Sequence, residues 1–205
     1  MRLLPSGTTA LLVELGDLDE VLGMYGALQD DPPVGVVDVV PAARTLLVVT
    51  DPRVASLSSV AEAVQRATPR EDRLGASELV EVPVTYDGED LEEAARLLDC
   101  DAGELVRRHT AEEWTVAFCG FMPGFGYLVS KGWQVQVPRR SNPRKKVPPG
   151  SVALAGEFSG VYPRESPGGW QLIGRSSLVL FDPSRDPAAL FRPGTRVRFT
   201  DEQRS

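Results

Sequence analysis

The sequence has few of the residues that build disulfide frameworks and metal centres. It contains two cysteines, Cys100 and Cys119, and one histidine, His109. Two cysteines do not make a disulfide framework of the kind that holds small secreted domains together, and a single histidine excludes a multi-histidine metal site. We therefore expect no metal site in this chain.

Long apolar runs are also missing. No stretch approaches the roughly 18 or more apolar residues that a membrane-spanning helix needs. The first residues, MRLLPSGTTALLVELG, hold one cation, and Pro5 and Gly7 interrupt their apolar run, which makes a poor signal peptide. We expect a cytoplasmic protein without a membrane partner.

Positive charge is scarce overall but concentrated in one segment. With 22 Lys and Arg against 29 Asp and Glu, the net charge of −7 argues against a nucleic-acid partner, which would have to be bound through its phosphates. The segment PRRSNPRKK (138–146) nevertheless holds five cations and no acid. Such a run is either a solvated face or, between prolines and near an aromatic segment, an anion site. No GxxxxGK followed by Ser or Thr occurs, so the chain has no P-loop.

The first part of the chain alternates strand and helix patterns. Strands are predicted at 9–15, 34–40, 45–50 and 77–84, and Asp17 is a candidate N-cap of the first helix. Apolar residues recur at helical spacing in two sets: Leu18, Val21, Leu22, Tyr25 and Leu28, and then Val54, Leu57, Val60 and Val64. The order β-α-β-β-α-β matches a ferredoxin-like arrangement. We place this α/β domain at residues 1–76, with a polar linker at 68–77 marking its boundary. Its last strand, at 77–84, is either part of this domain or shared with the next one.

The remainder, residues 77–205, begins with two short helices and then changes to strands. Asp101 followed by Glu104 is a variant of a capping box for the second helix. Short strand-like runs separated by Gly and Pro predict a small β-barrel or sandwich: WTVAFC, WQVQV, SVALA, WQLIG, LVLF and TRVRF. The fold class is therefore α+β, with two domains.

Candidate functional residues lie mainly in the second domain. GFMPGFGYL (120–128) has the composition of a shaped loop that either presents aromatic rings or forms a barrel corner. His109 is suited to proton transfer, although a lone histidine at a helix end is commonly a packing residue. Cys119 lies in an apolar strand, where an inert buried thiol is commoner than a nucleophile. Composition and spacing support a small-molecule site lined by aromatics and arginines.

Several stretches together resemble one bacterial family. GFMPGFGYL, VPRRSNPRKKVPPGSVALAGEFSGVYP and SPGGWQLIGRS follow one another over roughly residues 109–176. They resemble the B subunits of 5-oxoprolinase, a family also called the sporulation-kinase inhibitors or allophanate hydrolase subunit 1. The opening TALLVELG and the closing DPAALFRPGTRVRF fit the same pattern. The resemblance implies a small N-terminal α/β domain and a C-terminal cyclophilin-like β-barrel.

The resemblance also implies an activity. Members of the family act with a C subunit and an A subunit to open 5-oxo-L-proline to L-glutamate with ATP, so that ATP is expected in the assembled complex and the chain alone is expected to be inactive. Two alternatives within the family are a regulator that docks on a histidine kinase and a subunit related to allophanate hydrolase or urea carboxylase.

Carried onto this sequence, the resemblance implies catalytic positions at His109, Arg140 and Arg144. The implied substrate-binding positions are Phe121, Pro123, Gly124, Phe125, Gly168, Gly169 and Trp170. We expect Arg140 and Arg144 to converge on one carboxylate or phosphate, and His109 to share a cleft with the aromatic loop.

Overall fold

The structure is a computed structural model in which residues 1–70 and 79–203 are described. It divides into two compact units, Met1–Ala76 and Ser77–Ser205. Residues 71–77 of the predicted linker, and the first two residues of the strand predicted at 77–84, lie outside the described residues. No helix in the described ranges is long and apolar enough to cross a membrane.

The N-terminal unit is a layer of helices on an antiparallel sheet. Its elements are β1 (Arg2–Ser6), β2 (Ala10–Glu14), α1 (Leu18–Asp30), β3 (Val36–Pro41), β4 (Thr45–Thr50) and α2 (Leu57–Arg66). Within the described residues the sheet has four strands in the order β1-β2-β4-β3. Buried aliphatic side chains from the sheet and from both helices form one core.

The edge strand β1 was not predicted, because Pro5 in RLLPS is a turn signal. Proline is tolerated in an edge strand, where no ladder partner needs its missing N–H. A hairpin at Gly7, whose φ is +64°, pairs β1 with β2 from Arg2–Glu14 to Ser6–Ala10. This strand occupies the edge beside β2, where a ferredoxin-like fold places its last strand. The N-terminal strand β1 therefore takes the place of the fourth strand of a ferredoxin-like sheet.

Capping residues set where the two helices begin. Asp17 accepts a hydrogen bond from the Glu20 N–H at 2.9 Å, as predicted for the N-cap of α1. Ser56 accepts one from the Ser59 N–H at 3.1 Å, so α2 begins at Leu57. The prediction that Val54 belongs to the helical face is wrong, because Val54 precedes this cap and is exposed.

The C-terminal unit is a curled β-sheet with two helices against it. Its elements are β5 (Leu79–Val84), α3 (Leu91–Leu97), α4 (Ala102–Ala111), β6 (Trp114–Cys119), β7 (Gly126–Val129), β8 (Arg144–Val147), β9 (Ser151–Ala155), β10 (Phe158–Val161), β11 (Ser166–Gly168), β12 (Gln171–Arg175) and β13 (Arg196–Asp201). In the described part of the chain, seven strands form the main sheet in the order β12-β9-β10-β7-β6-β13-β5, and β8 pairs with β11 in a separate ribbon.

A backbone bridge brings the two edges of the main sheet together. Directly after β5, Thr85 exchanges two N–H···O hydrogen bonds of 2.9 Å with Arg175 at the end of β12. The sheet is thus nearly closed into a barrel, which removes most of its free edge. This confirms the predicted α+β architecture with a C-terminal barrel, and it assigns the strand predicted at 77–84 to the barrel as β5.

The strand predictions in this unit were partly wrong. WQVQV (133–137) forms only an isolated bridge from Val137 to Gly156, and LVLF (178–181) forms one from Phe181 to Ala189. Burial of Trp133, Val137 and Leu180 satisfies the apolar pattern of these segments without a strand ladder. Conversely, GYLV, RKKV and FSGV form β7, β8 and β10, although glycines and charges weaken their strand pattern.

Candidate functional site

An aromatic cavity of about 340 Å³ lies on the C-terminal unit. This is within the usual size range of small-molecule pockets. Its walls come from the loop before β7, from β7, from the β9–β10 turn, from the ends of β10 and β11, and from segment 138–143. The lining residues are Phe121, Phe125, Tyr127, Arg139, Ala155, Gly156, Phe158, Tyr162, Pro167, Gly168 and Trp170.

The GFMPGFGYL segment shapes one side of this cavity through a tight turn. The Met122 N–H donates to the Gly120 carbonyl at 2.7 Å, and the Phe125 N–H donates to the Met122 carbonyl at 3.1 Å. Phe121 has φ +67°, a left-handed conformation that is unfavourable for a bulky residue, and its side chain is 58% exposed. The segment therefore holds an exposed phenyl ring at the mouth of the cavity at a cost in backbone strain.

Phe125 is the centre of the aromatic wall. Its ring meets those of Tyr127, Tyr162 and Trp170 edge to face, with centroids 5.1, 5.3 and 5.4 Å apart. Edge-to-face packing is a favoured arrangement of aromatic rings. Because Phe125 is buried and contacts all three rings, it fixes their positions in the cavity wall.

A missing side chain at Gly168 makes room for one of these rings. A Cβ atom at this position would lie 2.5 Å from the Tyr162 hydroxyl oxygen. Any side chain would therefore displace Tyr162 from the cavity wall. This close approach explains why the first glycine of the SPGGW motif, Gly168, carries no side chain.

Arg139 is the cationic residue of the lining. None of the hydrogen bonds or ion pairs found among the described residues gives it a carboxylate partner. It lies near two hydroxyls of the wall. Burial raises the pKa of Tyr162 to about 12 and also raises that of Tyr127, and in both cases the positive charge of Arg139 opposes the increase.

Arg140 and Arg144 lie together, but at a buried carboxylate of the protein itself. Arg144 Nη1 and Nη2 bind the two oxygens of Asp90 at 2.7 and 2.8 Å, and Arg140 Nη1 also binds Asp90 Oδ1. Asp90 is 2% exposed. The Leu172 N–H donates to its carboxylate at 2.8 Å, and the Asp90 N–H donates to the Leu172 carbonyl at 2.9 Å.

This ion cluster is a structural tie between α3, β8 and β12. Burial would raise the pKa of Asp90, but hydrogen bonds from Arg144 and Leu172 outweigh it and hold the pKa below its ordinary value. The two guanidinium groups converge on the carboxylate of Asp90, whereas the expectation was a carboxylate or phosphate bound at the functional site. Their catalytic role stays a prediction.

His109 lies in the barrel core and does not line the aromatic cavity. It is 0% exposed, and its Nδ1 and Nε2 are 2.7 Å from the Tyr86 hydroxyl and 2.8 Å from the Ser159 hydroxyl. Its ring also packs against Phe199 with centroids 4.3 Å apart. Burial lowers its pKa to about 3. The expectation that His109 shares a cleft with the aromatic loop is wrong.

Cys119 has the properties of an unreactive thiol. Burial raises its pKa to about 11, and its Sγ is 3.5 Å from the Phe191 carbonyl oxygen. The thiolate, which is the nucleophilic form, is therefore scarce at neutral pH.

The structure brings together four of the seven predicted substrate-binding residues: Phe121, Phe125, Gly168 and Trp170. The other three lie outside the lining. Gly124 is a buried turn residue of the loop, and the Gly169 carbonyl accepts a hydrogen bond from the Arg140 N–H at 2.8 Å. Pro123 is exposed. The substrate-binding positions predicted from the sequence did not include four prominent lining side chains: Tyr127, Arg139, Phe158 and Tyr162. Tyr127 and Tyr162 lie within the quoted motifs, but no sequence pattern distinguishes Arg139 from its neighbour Arg140.

Among the described residues, no group of three or more His, Cys, Asp or Glu side chains is arranged to hold a metal ion. The cavity lining itself contains none of these four residue types. The chemistry offered by the cavity lining is therefore aromatic packing, tyrosine hydroxyls and one guanidinium group.

These features define a mixed α/β protein whose barrel unit carries an aromatic, cation-bearing cavity. The model of one family, the carboxyltransferase domain, subdomain C and D, matches residues 1–191. The B subunit of 5-oxoprolinase from Escherichia coli O157:H7 is 38% identical over 208 residues, which cover 96% of this chain and 94% of that protein. The chain belongs to the family of 5-oxoprolinase B subunits, as the sequence motifs predicted.

A second bacterial relative and a solved structure agree with this assignment. The B subunit of 5-oxoprolinase from Bacillus subtilis (strain 168) is 36% identical over 216 residues, covering 94% of this chain and 89% of that protein. The protein TTHA0988, whose crystal structure is known, is 34% identical in sequence. The match has a TM-score of 0.76 and covers 94% of this chain and 39% of TTHA0988. The chain thus spans about two fifths of TTHA0988.

Proposed function

We propose that this chain is the B subunit of an ATP-dependent 5-oxoprolinase, which opens 5-oxo-L-proline to L-glutamate together with an A and a C subunit. Two near-full-length relatives that are named as B subunits of 5-oxoprolinase support this role. The observation that carries the proposal at the level of the site is the aromatic cavity with its single arginine.

The cavity suits a small cyclic acid. Its aromatic walls offer apolar faces to a five-membered ring, and tyrosine hydroxyls and a guanidinium group offer hydrogen bonds to oxygen atoms. Phe121, Phe125, Gly168 and Trp170 contribute to this wall, whereas Pro123, Gly124 and Gly169 support the surrounding loops. We propose that 5-oxo-L-proline is bound here.

The composition of the lining supports a division of labour between subunits. A lactam resists hydrolysis until its oxygen is activated, for instance by transfer of the γ-phosphoryl group of ATP to that oxygen. Water then adds to the ring carbon, the C–N bond breaks with the nitrogen taking up a proton, and the open-chain acyl phosphate that results is hydrolysed by a second water to L-glutamate and phosphate. The cavity lining supplies no carboxylate, histidine or thiol for proton transfer. We propose that such groups, and the ATP site, come from the partner subunits.

Reconstitution tests this proposal. The purified chain is combined with the A and C subunits, and glutamate formation from 5-oxo-L-proline is measured with and without ATP. We expect ATP-dependent glutamate only when all three proteins are present. Full activity of the isolated chain would contradict the division of labour, and no activity of the complete mixture would contradict the function itself.

A further inference from the structure

We propose that Arg139 is the residue that selects ligands with a carboxylate in the aromatic cavity. This inference rests on the proposed function, in that it takes the cavity as the site for the cyclic acid. It adds that the acid is distinguished from a neutral lactam by one guanidinium group. The ligand class is therefore a small ring that bears a carboxylate.

The charge distribution of segment 138–146 points to Arg139. Arg140 and Arg144 are both engaged by the buried Asp90, and Arg144 also binds Glu89 at 3.0 Å. Lys146 pairs with Glu165 at 3.1 Å. Arg139 lines the cavity, and no acidic side chain belongs to the lining. Its charge is therefore available to an anion that enters the cavity.

The backbone on both sides of Arg139 is held in place. The Gln171 side-chain N–H donates to the Pro138 carbonyl at 3.0 Å, and the Arg140 N–H donates to the Gly169 carbonyl at 2.8 Å. The guanidinium group of Arg140 is tied to Asp90 in addition. Because the residues on both sides are anchored, the backbone position from which the Arg139 side chain extends along the cavity is fixed. The backbone at Arg139 therefore need not be ordered when an anion binds, which lowers the entropic cost of binding.

The chemistry of the guanidinium group matches a carboxylate. Its planar N–H donors bind both oxygens of a carboxylate, whereas a lysine ammonium provides a point charge without this geometry. The phenolic groups of Tyr127 and Tyr162 lie near the same charge and offer further donors. A neutral ring such as 2-pyrrolidinone would fill the aromatic part of the cavity and leave Arg139 without a partner.

Binding measurements test Arg139 separately from activity. Titration calorimetry with 5-oxo-L-proline and with 2-pyrrolidinone is run on the purified chain and again with the A and C subunits added, without ATP. We expect the acid to bind at least about tenfold more tightly than the neutral ring, as a charge-assisted hydrogen bond provides. R139Q should abolish this preference, R139K should retain part of it, and K145Q, an exposed cation of the same run, should leave it unchanged.

The outcomes separate this inference from the proposed function. A preference for the acid that R139Q loses supports the inference, whether or not glutamate is formed. Equal binding of both compounds, no binding of the acid in either preparation, or an unchanged preference in R139Q overturns it. In the active complex, R139Q should raise KM for 5-oxo-L-proline by about tenfold or more with a smaller change in kcat. Wild-type mixtures without glutamate formation overturn the proposed function alone.

Discussion

Adjacent arginines in this protein have different environments. Arg139 is at the cavity, while Arg140 and Arg144 hold the carboxylate of Asp90, which is nearly inaccessible to solvent. A buried carboxylate that loses a partner is costly, because its desolvation is no longer offset. The position of segment 138–144 beside the cavity therefore depends on this ion cluster.

Replacing Arg144 by lysine should weaken that tie. Lysine keeps the charge but cannot make the two parallel hydrogen bonds to Asp90 that Arg144 makes at 2.7 and 2.8 Å. We expect Arg144→Lys to lower the free energy of unfolding by about 1–3 kcal/mol and to lower the activity of the assembled complex by about tenfold or more. Urea denaturation and glutamate assays measure the two effects. Lys145→Arg is the matched control, and a stable, fully active Arg144→Lys protein would contradict the assignment.

His109 is expected to make stability depend on pH. The unfolded chain protonates this histidine near pH 6.5, whereas burial lowers the pKa in the folded protein to about 3. Between these values the unfolded state binds the extra proton, so stability falls as the pH falls, with a slope of up to about 1.4 kcal/mol per pH unit. Since the sequence has one histidine, the window from pH 6.5 to 5 isolates its effect from that of the carboxylates.

Denaturant unfolding at pH 7, 6 and 5 measures this slope. The variant His109→Gln removes the titrating group and should give a flatter dependence over the same range, even though loss of the buried ring lowers stability overall. Equal slopes for the two proteins would show that His109 is not buried in its neutral form.

At the scale of elements, the loop from Gly120 to Leu128 depends on one glycine. Gly124 has φ +82°, and a Cβ atom there would lie 2.6 Å from the Cβ of Phe181. Gly124→Ala is therefore both conformationally strained and sterically blocked. We expect a loss of about 1–3 kcal/mol in the free energy of unfolding, measured by thermal or urea denaturation.

Gly120→Ala is the control within the same loop. A Cβ atom at Gly120 would meet its nearest neighbour, in the ring of Tyr127, at 3.8 Å, which is an ordinary contact. This variant should lie within about 0.5 kcal/mol of wild type, as surface substitutions without special contacts do. If both alanine variants were equally stable, the close approach of Gly124 to Phe181 would be incorrect.

At the scale of the whole molecule, each unit has its own hydrophobic core. One core contains Val13, Val21, Leu46 and Val64, and another contains Trp114, Leu128, Ile173 and Phe199. We propose that the domain boundary lies near residue 76. Fragments 1–76 and 77–205 should each show cooperative thermal unfolding and dispersed amide signals in NMR spectra. A fragment 77–205 that is unfolded by both measures would contradict the proposed boundary.

Local sequence signals predicted most helices, several strands and the general position of the site. Asp17 and Asp101 cap helices where they were expected to, because a cap involves only the next three residues. The glycine-rich and aromatic motifs indicated the cavity wall, since turn chemistry and close approach restrict the residues allowed there. Family motifs identified the barrel as part of a known architecture, which the composition of short strands also favoured.

Contacts between distant segments were decided by the tertiary structure. Asp90 lies 50 and 54 positions before the arginines that it binds, and Ser159 lies 50 positions after His109. Nothing in the local sequence of Arg139 and Arg140 states which one meets a buried carboxylate and which one faces a cavity. The sequence alone determined the helix caps, the glycine-dependent turns and the charged run, because these depend on backbone preferences and local hydrogen bonds. Only the folded barrel determined which charges are neutralised and which remain available, because that depends on which segments its closure brings together.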